Sequence, residues 1–165
     1  MDLESNQRRV LFIAYLYPPI ANSGTRRSIE FANKLPDCGW TPVVLTVANP
    51  DTSPDRYDHA LLDDVRAGTR VERAPLGSDV WAKRASSIFP RKWHERMRAG
   101  LAWRLQHRWS VPDPAASWLG PAVQVGLQLH REKPFDVIYA SGSPWTSFLI
   151  AKEVGRKTGI PYVLD

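Results

Sequence analysis

The chain has 165 residues, a formal net charge of +5 and a single cysteine. That length fits one domain with a sizeable core, and one cysteine excludes an internal disulfide framework. No apolar run approaches the roughly 18–20 residues that a membrane-crossing helix needs.

Val10 to Leu16 is a continuous run of aliphatic and aromatic residues, and the first strand is expected over Arg9–Leu16. Arg8-Arg9 ahead of this run imitates a secretory signal. That reading is set aside because Asp2 and Glu4 precede it, Pro18-Pro19 follows, and the α/β pattern needs a first strand here. The prolines end the strand, and a helix is expected near Thr25–Leu35 with Ile29, Ala32 and Leu35 on its apolar stripe. Ser23 or Thr25 can cap it, Gly24 permits close backbone approach, and Arg26 and Arg27 add positive charge where the helix dipole is positive. This loop is a candidate phosphate site. Pro36 and Gly39 close the helix, and Cys38 between them is expected to be a small buried or half-buried residue rather than a nucleophile.

A second strand over Thr41–Ala48 completes a right-handed, parallel β-α-β unit. Asn49–Gly68 is polar and acidic, with a short helix expected around His59–Ala67. Asp55, Asp58 and His59 match no defined metal spacing, and a solvated insertion is the better reading; no metal site is assigned. Arg70–Ala74 is expected as a third strand, followed by helical pattern through Trp109.

Within residues 91–109, Trp93, Met97, Leu101 and Leu105 recur every fourth position. Arg91, Lys92, Arg96, Arg98, Arg104 and Arg108 stand against Glu95 alone, so the net charge outside this stretch is zero. The pattern predicts a basic amphipathic helix. Its apolar stripe can pack on the sheet, or Trp93, Arg96, Arg98, Trp103 and Arg104 can contact an anionic membrane surface. No nucleic-acid-binding motif accompanies the basic residues.

Asp113-Pro114 is a cap followed by a first-turn proline, and Trp118, Leu119, Ala122, Val123, Val125 and Leu129 supply the apolar face of the next helix. Gly120-Pro121 kinks or restarts it, and His130 falls in its last turn with a structural role. A fourth strand is expected over Phe135–Ser141. Ser143-Pro144 then repeats the cap-and-proline signal for a helix over Pro144–Thr158 that stops at Gly159, and Ile160–Asp165 begins a fifth strand. With no helix after that strand, the pattern reads as a shortened chain or as a fold that another chain completes.

The expected architecture is a Rossmann-like α/β fold: a doubly wound parallel sheet of order 3-2-1-4-5 in three α/β/α layers. In such sheets ligands bind beyond the carboxyl ends of the strands where the order reverses. That rule brings the loop of Ser23, Gly24, Thr25, Arg26 and Arg27 together with Ser141, Gly142, Ser143 and Trp145. No Gly-x-Gly-x-x-Gly or Gly-Lys-Ser/Thr motif is present, so no cofactor is assigned.

Tyr17-Pro18-Pro19 before a Gly loop, a helix ending at Gly39 before Pro-Val-Val-Leu-Thr, Phe135–Ser141 and Gly159–Asp165 resemble the N-terminal domain of family-4 glycosyltransferases of the GT-B fold. The resemblance spans nearly the whole chain and is weakest from Asn49 to Trp109. It implies half of a two-domain enzyme that moves a sugar from a nucleotide-sugar donor to a sugar or lipid-linked acceptor in polysaccharide or glycolipid synthesis. The N-terminal domain of such enzymes mainly holds the acceptor, and the absent C-terminal domain binds most of the nucleotide, so the fragment alone is expected to be inactive.

By the same resemblance Ser23 and Gly24 approach the donor phosphates with Arg26 or Arg27 as charge partners, and Asp165 matches an acidic position that is a weak catalytic candidate. The family often carries two adjacent glycines in the first loop, whereas only Gly24 stands here. Ser141-Gly142-Ser143 replaces the histidine that many members place after strand four, so no catalytic histidine is assigned. The expected location is the cytoplasm or the inner face of the plasma membrane. A non-catalytic binding module docking on an acidic partner, and a related GT-B enzyme such as a nucleotide-sugar epimerase, are the competing readings.

Overall fold

A computed structural model describes residues 8–48, 56–77 and 112–165. The sheet contains β1 (Arg8–Ala14), β2 (Trp40–Val47), β3 (Arg70–Ala74), β4 (Val137–Ser141) and β5 (Tyr162–Leu164). Every pairing is parallel, in the order β3-β2-β1-β4-β5. This is the expected doubly wound order. Around it lie helices α1 (Ser23–Lys34), α2 (Leu119–Glu132) and α3 (Thr146–Thr158).

β1 explains why the sequence reads as one apolar run. Leu11 and Ile13 enter a core with Leu45, Val47, Trp118, Ala122 and Ile150, while Phe12 and Ala14 enter a second core with Val44, Ile29, Ala32 and Leu61. A central strand buried on both faces has no polar positions to alternate. β3 joins β2 at Val43, one residue past Pro42, so the residue lacking an N–H stands where β2 has only one neighbour.

Arg9 is 8% exposed. Its backbone N–H donates to Asp136 Oδ2 at 2.6 Å, and its guanidinium donates to the carbonyls of Lys133 and Pro134 and lies 4.6 Å from the Phe135 ring centroid. These contacts hold Phe135 and Asp136 in the turn before β4. The strand accordingly starts at Val137 rather than at Phe135. In the same turn the Phe135 N–H donates to His130 Nδ1 at 3.1 Å, which gives the histidine a structural task.

Gly39 and Gly159 end their segments at φ 80° and 76°, where a side chain would be strained. Between α1 and Gly39 the chain tightens into a 3₁₀ turn, Leu35–Cys38, and Cys38 is exposed, contrary to the expected burial. His59–Leu62 is likewise a single 3₁₀ turn, shorter than the expected helix, with the Asp58 carboxylate accepting the Ala60 N–H at 3.0 Å. Pro114–Trp118 forms a third 3₁₀ turn and α2 restarts at Leu119.

At Gly126, α2 packs tightly on its neighbours: an added Cβ would lie 3.2 Å from Val154 and 3.4 Å from Leu11. No helix among the described residues is long and apolar enough to cross a membrane. The basic stretch 91–109, with Trp93, Arg96, Arg98, Trp103 and Arg104, lies outside the described residues, as does Asp55.

Candidate functional site

β1 and β4 run side by side from Val10↔Val137 to Ala14↔Ser141, so both chains leave the sheet at the same level. Strand order reverses between them. Above this point lies a narrow crevice of only about 10 Å³ lined by Ala14, Leu16, Gly24, Ser28, Ser141, Gly142 and Ser143, together with Tyr15. Of the residues expected from the sequence, Gly24, Ser141, Gly142 and Ser143 meet here. Ser28, one turn along α1 from Gly24, is an additional member, its Oγ donating to the Gly24 carbonyl at 3.0 Å.

Neither Ser23 nor Thr25 caps α1. Asn22 does so, its Oδ1 accepting the Gly24 N–H at 3.0 Å and the Ser23 hydroxyl at 3.3 Å. Asparagine ranks with serine as a cap, and its amide oxygen reaches across the turn. Thr25 is fully buried, and its Oγ1 finds no partner among the described residues, which removes it from the solvent side of the loop. Arg26 is exposed.

Arg27 turns toward β5 and pairs with Asp165. The Tyr139 hydroxyl donates to the same Asp165 Oδ2 at 2.5 Å. The Tyr139 ring stacks on Phe31 and Phe12, at 4.4 and 5.4 Å between centroids, so the hydroxyl is held in place from below. The hydrogen bond from Tyr139, with the Arg27 guanidinium, holds the Asp165 carboxyl below its ordinary range. Burial, with Asp165 beside it, pushes the Tyr139 hydroxyl up. The charge expected of Arg27 at the loop is thus largely matched by a carboxylate, and Asp165 is engaged as its partner.

The start of α3 departs from the Ser-Pro signal. Ser143 makes no capping bond; α3 begins at Thr146, whose N–H donates to Asp113 Oδ2 and whose hydroxyl donates to Asp113 Oδ1, both at 2.8 Å. Asp113 Oδ1 also accepts the Ala115 N–H at 2.9 Å, so a single carboxylate serves two helical starts. The sequence identified Asp113 only as the cap of its own helix, because the second contact spans 33 residues. Trp145 is 59% exposed at the head of α3, in edge contact with Phe148 at 5.5 Å. The end of β5 is tied to this loop by the Gly142 N–H, which donates to the Asp165 carbonyl at 2.7 Å.

No protein-family profile matches the chain, and no curated protein sequence matches it significantly. Among solved structures, the chain is similar to sucrose-phosphate synthase from Thermosynechococcus elongatus, at 12% identity and a TM-score of 0.54. The alignment covers 95% of this chain and 32% of that protein. The likeness shows the fold. The chain spans about a third of the length of that structure. The C-terminal domain of a hydrogenase from Pyrococcus furiosus also aligns, at 16% identity over 98% of this chain and 92% of that one, with a TM-score of 0.46.

Proposed function

We propose that this chain is the N-terminal, acceptor-side domain of a family-4-type glycosyltransferase of the GT-B fold, joined in the whole enzyme to a donor-binding domain. The observation that carries the reading is the crevice at the reversal of strand order. Two loops, each leading into a helix, meet there in a fold similar to that of sucrose-phosphate synthase.

Sugar transfer from a nucleotide donor leaves negative charge on the departing diphosphate, and fixed dipoles stabilise that charge without reorganising. On this reading the first turn of α1 and the Ser141–Ser143 loop border the diphosphate. The exposed indole of Trp145 offers an apolar face to a sugar ring. Asp113, through Thr146, keeps that loop in register.

The finer placement is also part of the proposal: a cytoplasmic enzyme at the inner membrane face, with a lipid-linked acceptor drawn by the basic residues of 91–109. The full-length product of the reading frame, assayed against uridine, guanosine and adenosine diphosphate sugars, tests it. Release of nucleoside diphosphate that depends on an acceptor is expected. A folded full-length protein that neither binds nor consumes any of these donors would refute the reading.

A further inference from the structure

A second cavity, of about 370 Å³, shares no lining residue with the crevice. It opens at the carboxyl ends of β2 and β3, where Ile20, Val47 and Leu62 supply apolar wall and Tyr57, His59 and Arg73 supply polar groups. Its volume is in the range of small-ligand sites, roughly 300–1,000 Å³.

Arg73 is the charged member. Arg27, Arg66, Arg70 and Arg156 each pair with a carboxylate, whereas among the described residues none pairs with the guanidinium of Arg73 or of Arg9; Arg9 lies over the Phe135 ring, and Arg73 lines the cavity. Its guanidinium instead donates to two neutral carbonyls, to Pro18 at 2.6 Å through one terminal nitrogen and to Val47 at 3.4 Å through the other. Those bonds fix the side chain against the β1 loop and engage both terminal nitrogens of a fork that carries five N–H donors. Nearby burial penalises the charge, lowering the Arg73 pKa, and Tyr17, in its electrostatic field, has a fully buried hydroxyl with no partner among the described residues. A cation with no carboxylate partner among the described residues, in a partly apolar cavity, is matched by an anion that accepts from the fork in bidentate fashion.

We propose that this cavity binds the anionic group of a small ligand, a carboxylate or a phosphate ester, through Arg73, with His59 as a second donor. Naming that ligand as a sugar acid or sugar phosphate on the acceptor rests on the glycosyltransferase reading; the anion site itself does not. The chemistry shared by both ligands is a planar or tetrahedral oxyanion beside a polar ring.

Calorimetric titration of the full-length protein with D-glucuronate, glucose 6-phosphate and neutral D-glucose tests the proposal. Saturable binding of at least one acid, with D-glucose tenfold weaker or silent, is expected, and the stronger acid names the oxyanion. Arg73→Met should weaken that binding at least tenfold. Because this variant also loses the bond to Pro18, His59→Ala is the companion: it should weaken binding several-fold while the unfolding midpoint stays in place. Equal binding of glucose and the acids, or undiminished acid binding by a folded Arg73→Met protein, overturns the site. If Arg73→Met does not fold, undiminished binding by His59→Ala overturns it. Acid binding in a protein inert toward every nucleotide sugar supports the site and refutes the enzyme, and turnover without acid binding does the reverse.

Discussion

The Asp113 carboxylate grips Thr146 at both of its donors, the backbone N–H on one oxygen and the hydroxyl on the other, each at 2.8 Å. The same group caps the turn that leads into α2. Removing it opens two helical starts at once and loosens the loop that carries Ser143 and Trp145. Asp113→Ala is expected to cost about 2–3 kcal/mol, the scale of charged hydrogen bonds and caps, read as a lower urea midpoint. Asp113→Asn, which keeps an acceptor, should cost less.

Asp165 sets an acid-sensitive contribution to stability. Its carboxyl is held down by the Tyr139 hydroxyl and then by Arg27, so the folded pKa lies below the unfolded value of about 3.9. The sign follows: the contribution is complete above that unfolded value and fades as pH falls through the folded one. Tyr139→Phe should return the carboxyl toward its ordinary range, making the protein less stable at neutral pH while leaving it nearly unchanged in strong acid. Carboxyl-carbon NMR titration of Asp165, beside unfolding curves across pH 2–7, checks both parts.

The two loop glycines should respond unequally to alanine. At Gly142 a Cβ would lie 2.7 Å from Phe148 Cζ and 3.5 Å from the Asp165 carbonyl, against an aromatic ring. At Gly24 the nearest atom is Leu16 Cδ1 at 2.8 Å, the free end of a flexible side chain. Gly142→Ala is expected to cost about 1–3 kcal/mol, as overpacking does, and Gly24→Ala clearly less. Chemical denaturation of the pair settles the order.

Trp145→Ala separates stability from binding. With the indole 59% exposed, the unfolding free energy should move by no more than about 0.5 kcal/mol. On the proposed glycosyltransferase reading, in which Trp145 faces a sugar ring, KM for the acceptor should rise several-fold. An unchanged KM removes Trp145 from the site.

The basic stretch can be tested by charge alone. Replacing Arg96, Arg98 and Arg104 with Glu should abolish co-sedimentation with vesicles containing phosphatidylglycerol and leave neutral phosphatidylcholine vesicles unaffected. Undiminished sedimentation with the anionic vesicles rules out the membrane contact.

What could be read from the sequence was local or topological. The Arg70–Ala74 strand and the glycine stops at Gly39 and Gly159 depend on neighbouring residues and on positive φ, and they stand where expected. The meeting of Gly24 with Gly142 follows from strand order and a general rule about where ligands bind. Contacts across the chain were not readable: Asp113 taking over the cap from Ser143, and Asp165 drawing Arg27 aside, each join residues far apart. Asn22 was readable in principle, since Asn-Ser-Gly-Thr offers several caps, but choosing among them requires the geometry of the turn. The Arg73 cavity needed the convergence of a loop, a turn and two strand ends.

Gly126 has a consequence for how this domain can diverge. Where α2 presses its backbone toward Val154 and Leu11, even a methyl would require those side chains to give by a few tenths of an ångström, so larger residues at this point are disfavoured. Latitude lies at the exposed positions of the carboxyl rim, such as Arg26 and Trp145, whose side chains can be exchanged without repacking the interior. Descendants of one scaffold can therefore change what they recognise while keeping the same skeleton.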